Sequence, residues 1–145
     1  MIEKIEIYKH IYQDSEMAIS SIKELKKDLK DKDNKIKGIL DEIITIFLKY
    51  EKESKKVLKK CDSSIEEEGI FAKMMANMGI KKEVMMDNSD SHMAEVMIEG
   101  ISMGSINMEK KLETYKDKLS YSDYRYAKKF LKFEKESIEK LKEYL

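Results

Sequence analysis

The sequence contains no proline, no tryptophan, only five glycines in 145 residues and a single cysteine, Cys61. Because proline is absent and glycine is scarce, few positions are suited to interrupting a helix. A lone cysteine excludes an intramolecular disulfide. No stretch alternates apolar and polar residues between turn signals, so we expect no substantial β-sheet.

Arginine and net charge are also scarce. Of the 29 basic residues only Arg125 is an arginine, and 29 acidic residues bring the formal net charge to zero. Nucleic-acid readers usually carry a basic face and use arginine for bidentate contacts, so we expect no nucleic-acid partner. The chain has no apolar run of transmembrane length and no signal-peptide pattern, so we predict no membrane partner and a cytoplasmic location.

Charged and hydrophobic residues are abundant, at 40% and 41% of the chain. Together with the missing proline, this composition is typical of long amphipathic helices. A chain of this length usually forms one domain with a real core. We therefore predict a single all-α domain.

A repeated segment organises the rest of the chain. Residues 47–60 read FLKYEKESKKVLKK and residues 130–143 read FLKFEKESIEKLKE, with nine of fourteen positions identical at an offset of 83. Spacings of four, three and four residues put the shared positions on one helical stripe in each copy. These positions are Phe47, Glu51, Ser54 and Leu58, then Phe130, Glu134, Ser137 and Leu141. Each copy thus places a carboxylate among core residues, where it needs a partner.

The periodicity predicts four long helices in two antiparallel pairs. Short turns separate the first helix from the second and the third from the fourth, and neighbours joined by short turns pack antiparallel. The stretch between the pairs is too long for a tight turn, so it should cross the length of a bundle and carry a short helix. The predicted domain, residues 1–145, comprises a first helix pair (1–60), a crossover (61–91, with its short helix at about 65–78) and a second helix pair (92–145), with Ser91 as the N-cap of the third helix.

A duplicated antiparallel helix pair joined by a long crossover resembles the ferritin-like superfamily. Its di-iron and di-manganese members take a Glu from each of two helices and a Glu-x-x-His from each of the other two, all facing inward. The resemblance implies a ferritin-like four-helix bundle with a carboxylate cluster for a divalent metal ion. The implied ligands are Glu16, Glu51, Glu99 and Glu134, with Ser54 and Ser137 lining the site in place of both histidines.

The serine-for-histidine exchange changes the chemistry that such a site supports. A hydroxyl is a weak neutral ligand, so carboxylates and water would hold iron, manganese or zinc less selectively. His92 and Glu95 share a helical face with Glu99 and are weaker candidate ligands. No reaction is specified by these residues, and we name no enzymatic activity.

Other polar and sulfur-containing residues are expected to have structural roles. We expect His10 at the surface, and Glu53 and Glu136 facing solvent because they lie about 200° around their helices from Glu51 and Glu134. Gly100 and Gly104, with Ser21 equivalent to Gly104 at the same offset, indicate close helix approach within the bundle. Nine of the eleven methionines lie between Met74 and Met108, and we interpret them as core or interface residues rather than a copper site.

Two functions remain open from the sequence. The first is a ferritin-like protein that binds a divalent metal through the carboxylate cluster. The alternative is a metal-free, degenerate bundle that acts as a scaffold or interaction module through the methionine-rich crossover and third helix. Apolar residues in the crossover, Ile70, Phe71, Met74, Met75 and Met78, favour a homodimer in either case.

Overall fold

The computed structural model describes residues 1–61 and 87–145, which form four α-helices and no strand. The helices are α1 (Ile2–Asp28), α2 (Lys37–Lys60), α3 (Asp90–Tyr115) and α4 (Tyr121–Lys142). The all-α prediction is confirmed for this part of the chain: α1 and α2 lie within the predicted first pair (1–60), and α3 and α4 form the second pair, which begins two residues before the predicted residue 92. The predicted crossover helix lies outside the described residues. None of the four helices is long and apolar enough to cross a lipid bilayer.

Contacts between helix ends fix the direction of each helix. At the start of α1, Glu6 pairs with Lys111 near the end of α3, with 3.4 Å between Oε2 and Nζ. Tyr8 donates a 2.8 Å hydrogen bond to Asp123 at the start of α4. Helix α1 is therefore antiparallel to α3 and parallel to α4, and it is antiparallel to α2 through their short connection. Because α2 and α3 run in the same direction, the link between them joins opposite ends of the bundle.

The loop after α1 is tied to the start of α3. The Asn34 side-chain amide donates to the Asn88 carbonyl at 2.8 Å and to Asp90 Oδ1 at 2.9 Å. Asp90 also accepts from the backbone amides of Lys35 and Ile36. These bonds satisfy amide groups that the short turn leaves without helical partners. They also set the register in which the second helix pair meets the first.

The core is built from equivalent positions of the two helix pairs. At the offset of 83 residues that relates the repeated segments, several positions are buried in both α1 and α3. In α2 and α4 the apolar and serine positions of the stripe are likewise buried in both copies. The equivalent buried pairs in α1 and α3 are Ile11 and Ala94, Ala18 and Ile101, Ile22 and Ser105, Leu25 and Met108, and Leu29 and Leu112.

Four aromatic rings from α2 and α4 meet at the centre with approximate two-fold symmetry. Phe47 is equivalent to Phe130, and Tyr50 to Phe133. The Phe47–Phe133 contact has ring centroids 4.7 Å apart at 69°, and the equivalent Tyr50–Phe130 contact has 5.0 Å and 76°. The Phe47–Phe130 and Tyr50–Phe133 pairs lie across the symmetry axis. We call these four residues the aromatic quartet.

Side-chain caps begin both helices of the second pair. Ser89 accepts a hydrogen bond from the backbone amide of His92, and Ser120 accepts one from Asp123. The N-cap of α3 is thus Ser89, two residues before the predicted Ser91, because the Ser89 hydroxyl is the group that reaches an unpaired amide of the first turn. Neither α1 nor α2 has a side-chain N-cap hydrogen bond.

Candidate functional site

The carboxylates predicted from the sequence do not converge on one point. Glu134 is 1% exposed, but Glu16 and Glu51 are partly exposed and Glu99 lies on the surface. Within residues 1–61 and 87–145, no group of three or more His, Cys, Asp or Glu side chains is arranged to hold a metal ion. The helix stripe predicted the burial of Glu134 correctly. It could not determine what lies opposite each carboxylate on the neighbouring helices.

Ser54 and Ser137 are buried, but their hydroxyl protons are used within their own helices. Ser54 donates to the Tyr50 carbonyl at 2.6 Å, with Glu51 O at 3.1 Å, and Ser137 donates to the Phe133 carbonyl at 2.9 Å. Such bonds to the preceding turn let a small polar residue occupy a core position. The two serines therefore have a structural explanation in both copies of the repeat.

His92 and Glu95 lie at the start of α3, far from the buried carboxylate. His92 Nδ1 is 4.0 Å from both Asp87 Oδ2 and Glu95 Oε2. Gly104, which contacts the Glu134 region, is twelve residues further along α3, or about 18 Å of helix. These two residues form a separate polar group at a helix end and do not complete a site at Glu134.

Glu134 instead meets Asp14, a residue that the sequence analysis did not select. The two carboxyl groups interact across the interface between α4 and α1, opposite Gly104 of α3. A Cβ at position 104 would overlap Asp14 Oδ2, lie 2.9 Å from Asp14 Cγ and lie 3.0 Å from Glu134 Oε2. The glycine therefore provides the space that the acid pair occupies. The prediction of a close helix approach at Gly104 is not what the structure shows, because the atoms nearest to its missing side chain are carboxylate side-chain atoms and not the backbone of another helix.

His10 flanks this acid pair and is buried, so its predicted surface position is wrong. Its Nε2 lies 3.1 Å from the Gly104 carbonyl oxygen and 3.0 Å from Asp14 Oδ2. Because a carbonyl oxygen only accepts, the first contact requires a proton on Nε2. The imidazole lies close to Asp14 Oδ2, but among the described residues this oxygen has no hydrogen bond of suitable geometry.

A small cavity adjoins the acid pair inside the bundle. Its volume is ≈ 20 Å³, enough for one water molecule or one ion without its hydration shell. Asp14, Ser21 and Glu134 supply its polar lining, and apolar side chains including Phe47, Met97 and Ile101 complete it. Asp14 Oδ2, Ser21 Oγ and Glu134 Oε1 are buried without a hydrogen-bond partner in the described part of the chain. Unsatisfied buried oxygens of this kind are uncommon in native proteins.

The environment of Glu134 favours its protonated form. Burial is the largest cause that raises the pKa of its carboxyl well above the ordinary value, followed by the negative charge of Asp14 and a hydrogen bond to Asp14. These causes favour a proton on Glu134, which is hydrogen-bonded to Asp14. Among the described residues, no lysine or arginine lines the cavity.

A signal for Asp14 was present in the sequence. Residues at spacings of four, three, four and three form one stripe of α1: Ile7, Ile11, Asp14, Ala18 and Ser21. Asp14 therefore lies on the buried face, and His10 precedes it by one helical turn. The prediction of Glu16 depended on its equivalence to Glu99 at the repeat offset, which carries no information about the opposite helix.

A second polar cluster joins the start of α1 to α4 and the end of α2. Tyr8 and Tyr126 stack with ring centroids 5.5 Å apart, and Tyr8 binds Asp123. Burial is the main cause that raises the pKa of the Tyr126 hydroxyl, followed by the charge of Glu53. The Glu53 side chain is 40% exposed although its Oε1 atom is buried, so the prediction that it faces solvent holds only in part, whereas its equivalent Glu136 is exposed as predicted. This cluster fixes helix ends together.

No protein-family model matches this sequence, and comparisons with curated proteins and with solved structures find no match.

Proposed function

We propose that this chain is a ferritin-like bundle protein that binds one cation at the buried Asp14–Glu134 pair. The observation that carries the proposal is that Asp14, Ser21 and Glu134 line one cavity, and that each has a buried oxygen with no aligned hydrogen bond among the described residues. A buried polar oxygen without a partner is costly, and a bound cation satisfies all three together. Of the ligands predicted from the sequence, this set retains Glu134. Asp14 and Ser21 take the place of the others.

The donor set selects the type of ion. All three atoms are hard oxygen donors, which suit magnesium, calcium and manganese better than zinc. Of the three metals expected from the sequence, iron, manganese and zinc, Mn(II) fits these donors best. The cavity of ≈ 20 Å³ holds one ion that has lost most of its water. Binding also requires Glu134 to release its proton, so affinity rises with pH.

The helix directions support the ferritin-like assignment. Helix α1 is antiparallel to α2 and α3 and parallel to α4, so one long connection joins two antiparallel pairs. Bundles of the ferritin-like type have one such crossover and place their sites between facing helices. Equivalent buried positions at an offset of 83 support the duplication on which the resemblance to the ferritin-like superfamily rests.

One observation favours the alternative function as an interaction module. Met103 and Ile106 are 65% and 53% exposed on neighbouring positions of α3. Large apolar side chains grouped at a surface are typical of a protein-binding face. The proposed homodimer would use this face, while the crossover residues that first suggested it lie outside the described residues.

Manganese titration tests the cation site. We expect wild-type protein to bind one Mn(II) per chain by calorimetry, and to melt at higher temperature as Mn(II) is added, since the ion binds only the native state. Asp14→Asn and Glu134→Gln should each weaken binding at least about tenfold because a charged ligand is lost.

Glu51→Gln is the matched control, since Glu51 is the repeat equivalent of Glu134. It should leave Mn(II) affinity unchanged. Loss of binding in this variant would support the cluster predicted from the sequence instead. A wild-type melting temperature indifferent to Mn(II), Mg(II), Fe(II) and Zn(II) would defeat the cation proposal and leave the interaction module.

A further inference from the structure

A second opening lies on the outer side of Asp14, between α1 and α3. This crevice has a volume of ≈ 170 Å³. It shares Asp14, Met17 and Gly100 with the inner cavity, so Asp14 lies at its inner end. Ser21 lines the cavity but not the crevice, and Glu99 lines the crevice but not the cavity. The two spaces are therefore separable by substitution.

The crevice combines apolar walls with negative polar groups. Met17, Val96 and Met103 provide the apolar surface, and Asp14, Glu99 and Asn107 provide the polar groups. No lysine or arginine of the described residues lines it. Ligand sites of small molecules typically have this composition, in which apolar walls bury the ligand and a few polar groups fix its orientation.

Two carboxyl groups lie near the closed end of the crevice. The Asp14 side chain is 14% exposed, and its buried Oδ2 lies 3.0 Å from His10 Nε2 but makes no aligned hydrogen bond among the described residues. Behind Gly104, Glu134 is 1% exposed and its Oε1 is also without one. Gly104 has no side chain to cover the acid pair at this end of the crevice. A Cβ there would lie 3.0 Å from Glu134 Oε2. The closed end thus offers an unsatisfied acceptor to a donor that enters from outside.

We propose that the crevice binds a small alkylammonium ion, with its ammonium group on Asp14 and its carbon chain between Met17 and Met103. A charge-assisted hydrogen bond from the ammonium satisfies Asp14 Oδ2. Burial of the methylene groups against the thioether and valine side chains adds apolar contact that a hydrated metal ion cannot make. A second ammonium at the far end of the chain reaches Glu99 at the open end.

The dimensions limit the ligand to a short chain. A cavity of about 150 Å³ accommodates benzene, so ≈ 170 Å³ holds a ligand of about six non-hydrogen atoms. Glu99 precedes Gly104 by five residues, or roughly 7.5 Å along the helix axis. A four-carbon chain with an amino group at each end, butane-1,4-diamine, satisfies both limits. This inference goes beyond the proposed cation site and does not depend on it.

Calorimetric titration with three probes of the same chain length tests the inference. Butane-1,4-diamine and butylamine carry ammonium groups at neutral pH, whereas butan-1-ol carries none. We expect butan-1-ol not to bind detectably. We expect the diamine to bind about two- to fivefold more tightly than butylamine, because its second charge meets an exposed carboxylate. Methyl spectra of ¹³C-labelled methionine should shift at Met17 and Met103, and not at Met1.

Three variants separate this ligand from the proposed metal ion. Asp14→Asn should weaken both amines at least about tenfold. Glu99→Gln, an exposed change that spares the core, should make the diamine bind no better than butylamine and leave Mn(II) binding unchanged. Ser21→Ala should weaken Mn(II) and leave both amines unchanged. Absence of Mn(II) binding therefore removes the proposed function without removing this inference.

Several outcomes would overturn the inference. No binding of either amine to wild-type protein would do so, as would butan-1-ol binding as tightly as butylamine, which would show a merely apolar crevice. Equal amine affinity in wild type and Asp14→Asn would remove the assigned anchor. Helical circular dichroism of each variant confirms that it is folded, and if Asp14→Asn is not, Gly104→Ala narrows the same closed end and should abolish amine binding.

Discussion

Glu51 and Glu134 occupy the same position in the two copies of the repeated segment, yet only Glu134 is buried. The residues on the opposite helices account for the difference. At the offset of 83, the equivalents of Asp14 and His10, which contact the Glu134 region, are Met97 and Met93. Gly104, which leaves space for the acid pair, is equivalent to Ser21. Glu134 therefore has Asp14 as its partner, whereas methionine occupies the position equivalent to Asp14 in the other half of the chain.

In this chain the apolar packing of the repeated segment is the same in both copies, whereas the environment of the carboxylate differs. Phenylalanine, serine and leucine of the stripe are buried in both copies, because each needs only a filled volume or its own backbone as a partner. A buried carboxyl group needs a specific partner across the interface. Asp14 provides that partner for Glu134, and the equivalent position in the other half is Met97, so within the described residues the acid pair is not repeated there.

The largest expected effect tests whether equivalent core residues in the two halves contribute equally to stability. Phe47→Ala and Phe130→Ala each remove a buried ring of the aromatic quartet, so each should lower the free energy of unfolding by about 3–5 kcal/mol. Urea denaturation measures both. A difference between the two variants larger than about 1.5 kcal/mol would contradict the two-fold equivalence of the quartet.

The next effect concerns Gly104, which leaves space for the acid pair in one half of the bundle. Gly104→Ala forces a methyl group against the acid pair and should destabilise the protein by about 1–3 kcal/mol. Gly38→Ala is the matched control, since a Cβ at position 38 meets no atom within 4 Å. That exposed helical change should stabilise the protein by about 0.5–1 kcal/mol. Equal effects of the two substitutions in urea denaturation would show that the Gly104 space is not required.

A smaller effect concerns the buried acid itself. The folded-state pKa of Glu134 is raised, so the native state binds this proton more tightly than the unfolded state does. Its stabilising contribution is complete below the ordinary glutamate pKa of about 4.3, and it is lost as pH rises through the raised folded-state pKa. Wild-type stability should therefore fall across this window, as measured by urea denaturation at a series of pH values without added metal.

Glu134→Gln removes this dependence. At pH 8 the variant should be more stable than wild type by about 1–2 kcal/mol, because the amide donates to Asp14 without bringing a second negative charge. Glu51→Gln, at the equivalent but partly exposed position, should change stability by less than about 0.5 kcal/mol. A destabilised Glu134→Gln variant at pH 8 would argue against a protonated acid pair.

The smallest effect tests the other difference between the halves, their helix caps. Ser120→Ala should cost about 1 kcal/mol, because the first turn of α4 loses the acceptor for the Asp123 amide. Its repeat equivalent is Lys37, which caps no helix with its side chain. Lys37→Ala should change stability by less than about 0.5 kcal/mol. Thermal unfolding followed by circular dichroism distinguishes these values.

Much of the fold could be predicted from the sequence because its determinants are local. Periodicity located all four helices, and the repeated FLK segments identified Phe47 and Phe130 as equivalent core residues. Ser89 was missed as the N-cap because several serines and aspartates near residue 90 are suitable caps by type, and only the backbone geometry selects one.

The candidate site was predicted only in part because it is not local. Glu134 was identified from its own stripe. Asp14 and His10 were missed because the repeat offset favours Glu16 and Glu99, which match each other but are not buried. The pairing of Asp14 with Glu134 depends on how α1, α3 and α4 meet, and on the space that Gly104 leaves there.

The two-fold symmetry of the aromatic quartet has a consequence for how such a site arises. In an assembly of two identical helical hairpins, every substitution appears twice, so an acid pair on one side brings a second acid pair on the other. Once the hairpins belong to a single polypeptide, each side changes independently. A fused chain can then retain thioethers where they stabilise the bundle and confine the destabilising acids to one side. Because the two hairpins are linked in one chain, an acid pair can occur in one half of the bundle without a copy in the other half.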